Sequence, residues 1–172
     1  MTEPPKDPVR PADEEARALA RDLLKAAHFA ALATLTDQGV PFVTRIALAT
    51  DPQGRPLTLV SRLSAHTAPL LRGAEVSLLI GEPGDKGDPL THPRLTLQAI
   101  PQPVVREDPA YAPLAAHYAQ LRPKARLYMD FADFLLVRFA PRDSFLNGGF
   151  GKAFRMTPAD LLPPPETQRP DP

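Results

Sequence analysis

Cysteine is absent from the 172 residues, which excludes disulfides, thiolate catalysis and cysteine-ligated metal sites. A charge excess is absent too. Twenty basic side chains balance twenty acidic ones, so no overall field draws the chain to nucleic acid or to an acidic membrane surface. No apolar run reaches membrane-spanning length, and the opening MTEPPKDPVR lacks a signal-peptide core. The expectation is a soluble, cytoplasmic protein with neither nucleic acid nor membrane as partner. Common catalytic signatures are also missing. His28, His66, His92 and His117 share no metal-ligand spacing, so no metal site is expected. Ser61, Ser64 and Ser144 lack a Gly-x-Ser-x-Gly elbow, and Gly148 to Lys152 lacks the lysine–serine pair of a phosphate loop. Asp130 and Asp133 read as caps before a strand rather than as a carboxylate pair.

Proline, by contrast, is abundant, with 23 residues concentrated at the two ends. Residues 1–12 and 158–172 therefore read as extended, poorly ordered tails around one domain spanning 13–157. Within it, residues 13–27 repeat apolar positions at three and four behind Asp13 and two glutamates, the pattern of a helix. Residues 29–36 and 40–49 form a hairpin split by Asp37-Gln-Gly39. Further strands are expected at 57–60, 75–80, 94–100 and 133–139, with a helix near 111–121. Pro101 and Pro103 suggest an edge or a bend. The loop 81–93, rich in glycine and proline, is long enough to cover a site and to shape substrate access. Hairpin-linked strands with two helical insertions argue for a mainly β, α+β antiparallel barrel or sandwich.

The most informative stretch is 57–72, LTLVSRLSAHTAPLLR. It reads as a strand, a polar elbow, then a short helix beginning near Thr67, because Pro69 is tolerated only in a first turn. Ser61, Arg62, His66 and Thr67 converge there with free helix N–H groups. That set suits a phosphate, and it equally suits an ordinary polar strand-to-helix turn.

These residues, with DPLTHPRLTLQA, YMDFADFLLVRF and LNGGFGKA further on, resemble the pyridoxamine 5'-phosphate oxidase-like FMN-binding split barrels. Within them the chain most resembles the haem-utilisation branch, over roughly residues 19–153. The resemblance implies a six-stranded antiparallel split barrel with flanking helices, homodimeric, binding FMN in clefts between subunits. It implies that Ser61, Arg62, His66 and Thr67 meet the flavin phosphate, and that Arg45 runs along the ribityl chain or ring. Gln98 would reach the isoalloxazine, and Asn147, Gly149 and Lys152 would approach from the partner subunit. The expected activity is an FMN-dependent oxidoreductase of unidentified substrate, with no catalytic residue assigned. The alternatives are a haem-binding protein using the same cleft, or a non-catalytic flavin or deazaflavin binder. Two departures stand out. The chain lacks the Arg-x-His ending of the oxidases proper, and no histidine follows His117, where haem-degrading relatives carry a late haem ligand.

Overall fold

The structure, a computed structural model, describes residues 9–149 and 151–162. A three-residue strand β1 (Val9–Pro11) leads into helix α1 (Glu14–Ala26). Asp13 caps α1, its Oδ1 accepting from the Ala16 N–H at 2.8 Å. The hairpin follows as β2 (Phe29–Leu35) and β3 (Pro41–Ala47), then β4 (Ala49–Thr50), β5 (Pro56–Ser61), α2 (Thr67–Leu71) and β6 (Val76–Ile80). The second half comprises β7 (Arg94–Val104), α3 (Tyr111–Leu121), β8 (Phe134–Asn147), β9 (Ala153–Met156) and α4 (Pro158–Leu161).

The nine strands among the described residues join one sheet, in the order β1-β9-β8-β7-β6-β2-β3, with β5 on the first half of β8 and β4 on β5. The mainly β expectation holds. The six-stranded antiparallel split barrel is not confirmed: the sheet has nine strands among the described residues and does not close. Strands β1 and β9 pair in parallel, which makes the sheet mixed. No ladder joins β3 to β5 among the described residues; the chain itself bridges them at Leu48, leaving β3 as an edge. Both expected tails also contain regular structure, β1 in the first and α4 in the second. The remainder of those tails, 1–8 and 163–172, lies outside the described residues.

Two cores hold the sheet. Leu32, Ile46, Val60, Leu78, Leu97, Val137 and Phe139 face inward, with α1 packing through Ala16, Ala20 and Leu24. On the other side of β5, β7 and β8, the helix α3 covers Leu57, Leu59, Leu136 and Val104 with Tyr111, Leu114 and Tyr118. This explains why β5 and the start of β8 read as continuous apolar runs: both faces are covered. Pro101 and Pro103 stand where β7 has outrun its last β6 pair, Val76–Ala99, so no ladder on that side needs their missing N–H groups.

Candidate functional site

The elbow after β5 is held by its own side chains. The Ser61 hydroxyl donates to Asp133 Oδ2 at 2.5 Å, and the Thr67 hydroxyl donates to the Ser61 carbonyl at 2.6 Å. The Arg62 N–H bonds the Asp133 carbonyl at 2.7 Å, locking the elbow to the start of β8. Thr67 is fully buried and opens α2, so His66 takes the cap position and makes no side-chain capping bond. The helix thus begins where the sequence suggests, but neither hydroxyl is available to it. A carboxylate occupies the place where a phosphate cradle would need donors, and this arrangement does not fit a phosphate held by Ser61 and Thr67. Only Arg62 remains open: its guanidinium is exposed and has no hydrogen bond or ion pair among the described residues.

His66 is half-buried, and its Nδ1 lies 3.0 Å from the Thr44 hydroxyl on β3. Burial pushes its pKa below the usual imidazole range, which favours the neutral ring. Arg45 follows Thr44, so strand alternation turns it to the outer face. There its guanidinium stacks 4.9 Å from the Phe29 ring centroid. The outer face can be read row by row from the register. Val43, Ala33, Ser77 and Gln98 form one row, and Arg45, Ala31, Leu79 and Thr96 the next. Arg45 and Gln98 therefore border one strip of small side chains on neighbouring strands about 4.8 Å apart. Asn147, Gly149 and Lys152 lie elsewhere, on the β8–β9 connection. Asn147 Oδ1 accepts from the Gly149 N–H at 3.1 Å, and Lys152 pairs with Glu15 of α1 at 3.3 Å. Gly149 has φ +113°, and a Cβ there would approach the Thr91 carbonyl to 3.1 Å.

Sequence reasoning missed two features. One is Thr44, which alternation along β3 would have placed inward, toward the elbow. The other is a pair of exposed leucines. Arg72, just past α2, pairs with Asp37 in the β2–β3 turn at 3.0 Å, so the helix lies along the end of that hairpin. Leu63 on the elbow and Leu71 on α2 are 87% and 41% exposed on the segment that carries His66, whereas Leu35 and Val43 belong to the outer face of the hairpin, opposite Thr44. Isolated exposed leucines are ordinary; two on the segment that carries a half-buried histidine and an exposed arginine offer a small apolar surface. Among the described residues no group of three or more His, Asp or Glu is placed to hold a bare metal ion. No described helix is long and apolar enough to cross a membrane.

Comparison with known proteins follows the same direction. A family model described as CREG, beta-barrel matches residues 11–161. A noncanonical chloroplastic heme oxygenase of Arabidopsis thaliana, HOZ, is 33% identical over 118 residues, 68% of this chain and 35% of that protein. A heme binding protein from Mycobacterium smegmatis superposes with TM-score 0.77 at 26% identity, covering 89% of this chain and 61% of that one. A protein of unknown function from Agrobacterium tumefaciens gives TM-score 0.77 at 35% identity, with coverages of 94% and 66%. This chain therefore spans about a third of the curated relative and under two thirds of either of these solved chains. A pyridoxinephosphate oxidase family protein from Clostridium acetobutylicum, at 12% identity and TM-score 0.64 over 87% of this chain and 99% of that one, shares the fold alone.

Proposed function

The chain belongs to the CREG β-barrel family, and from that premise we propose that it is a haem-binding protein of the haem-utilisation type, acting as a homodimer with its ligand in the cleft between copies. Exposed Leu63 and Leu71, on one segment with half-buried His66 and an Arg62 that has no partner among the described residues, carry this reading: they suit an apolar ligand with an anionic edge. A porphyrin with two carboxylates has that character. When bound, haem supplies a redox-active iron; the residues of this chain supply apolar cover, a guanidinium for a carboxylate, and exclusion of water. The similarity to a heme oxygenase and to a heme binding protein supports the same class.

A second reading, an FMN-dependent oxidoreductase, draws support from the same free Arg62 and from the strip between Arg45 and Gln98, where a flat ring could rest. The engaged hydroxyls of Ser61 and Thr67 weigh against it. Titrating haemin and FMN separately into the purified protein separates the two. The haem reading expects a stoichiometric shift of the porphyrin absorption band with little change in flavin fluorescence. Arg62→Ala should weaken haemin binding about tenfold, since a charge-assisted contact contributes about 1.5–3 kcal/mol and 1.4 kcal/mol is tenfold. A saturable flavin signal without a porphyrin shift would transfer the assignment to FMN, and silence from both would remove both.

A further inference from the structure

We propose that His66 Nε2 would ligate the haem iron, with Thr44 fixing the ring. The inference rests on the haem-binding reading and adds the coordinating atom.

The four histidines are not equivalent. His117 directs Nε2 to the Thr50 carbonyl at 2.9 Å on the flank of α3. His92 uses both nitrogens inside loop 81–93, Nδ1 accepting from the Gly84 N–H at 3.2 Å and Nε2 donating to the Lys86 carbonyl at 2.9 Å. His28 has no side-chain partner among the described residues, but it is exposed at the end of α1 and nothing orients it. His66 alone combines partial burial, one ring nitrogen held by a neighbour, and the other nitrogen without a partner.

That combination is what iron ligation asks of an imidazole. A ligating histidine is normally anchored through its other ring nitrogen, which fixes the tautomer and aims the lone pair. The Thr44 hydroxyl has no other hydrogen-bond partner among the described residues, so it can accept from Nδ1–H and leave the Nε2 lone pair for a metal. The surroundings match a porphyrin rather than a bare ion. The porphyrin brings four nitrogens of its own, so a single protein ligand suffices, and no cluster of three ligating side chains is needed. Leu63 and Leu71 stand on the same segment as His66, and Arg62 lies four residues before it.

The experiment is haemin titration with electronic absorption, electron paramagnetic resonance and resonance Raman readouts on the ferric protein, which require no turnover. Wild type should show an imidazole-ligated spectrum. His66→Ala should lose that signature and bind haemin at least tenfold more weakly, with free imidazole restoring the wild-type spectrum. His66→Gln, close in size and able to keep a hydrogen bond to Thr44, guards against a folding defect in the alanine variant and should lose the signature in the same way. Thr44→Val should keep the ligand but weaken or broaden it, and His28→Ala should change nothing. Wild-type spectra in folded His66 variants would overturn the assignment while leaving haem binding intact. Failure of wild type to bind haemin would overturn both the assignment and the reading beneath it.

Discussion

Tyr118 illustrates how a single buried residue sets a pH limit on the fold. On the inner face of α3 it is 1% exposed, and burial pushes its pKa up to about 12, helped by the neighbouring Tyr128 and opposed by a hydrogen bond to the Leu59 backbone. In the unfolded chain the phenol loses its proton near pH 10. Between these values the unfolded state binds fewer protons, so stability falls as pH rises. We expect full stability below about pH 10 and a loss on the order of 2 kcal/mol by about pH 12. Denaturant titrations across that range check this, and Tyr118→Phe should flatten the dependence. Ser144 makes the opposite kind of case. Its hydroxyl is fully buried between Leu97 and Met156 and has no partner. Removing a buried, unbonded hydroxyl relieves a desolvation penalty, so Ser144→Ala should be neutral or stabilise by about 1 kcal/mol in chemical unfolding.

At the level of elements, the long strands and α1 were legible because period and caps agree, and the short joints were not. The tail reading of 158–172 followed from its prolines, yet Thr157-Pro-Ala-Asp160 is a capping pattern in plain view. Asp160 accepts from the Thr157 N–H and hydroxyl, each at 2.7 Å, and from Arg17 Nε at 2.6 Å, which ties α4 to α1. Burial alone would raise the Asp160 pKa, but the bonds from Arg17 and Thr157 outweigh it and hold it below the usual carboxylate range. The contribution of this contact is therefore present above the ordinary carboxylate pKa and is lost as pH falls through the lower, folded value. Hydrogen exchange should show α4 loosening at acid pH before the sheet does, and Asp160→Asn should loosen it at neutral pH. Arg122 is the other joint invisible in sequence, because its partners are carbonyls 74 and 95 residues away. It donates to Leu48 at the β3–β4 junction and to Ala27 at the end of α1, where no strand ladder closes the sheet. Arg122→Ala leaves those carbonyls unpaired and should destabilise by about 2–4 kcal/mol in thermal or denaturant unfolding.

On the scale of the whole molecule, the candidate site is divided within one chain. Ser61, Arg62, His66 and Thr67 were gathered correctly at one elbow, because strand, turn and helix signals are local. What the hydroxyls bond could not be read, since Asp133 lies 72 residues from Ser61. Asn147, Gly149 and Lys152 sit against α1 and loop 81–93, away from that elbow, and in the proposed two-chain cleft a second copy would bring them to it. The outer face offers a reason for a second copy. Val43 and Leu79 are 62% and 46% exposed, on rows whose other members are Ala31, Ala33, Ser77 and Thr96 with Arg45 and Gln98 at the ends, and among the described residues β3 leaves one strand edge unpaired beside them. An exposed edge next to an apolar face is a site for association unless something covers it. A twofold dimer meets that need with one self-complementary surface and closes the assembly. We expect sedimentation at micromolar concentration to show a dimer burying more than about 1,000 Å². A paired change, Val43→Asp with Leu79→Asp, should shift the protein to monomer and reduce haemin affinity without unfolding the sheet, because neither side chain belongs to a core. A wild-type monomer would rule out the two-chain cleft and leave the elbow, with His66 and Arg62, to hold a ligand alone.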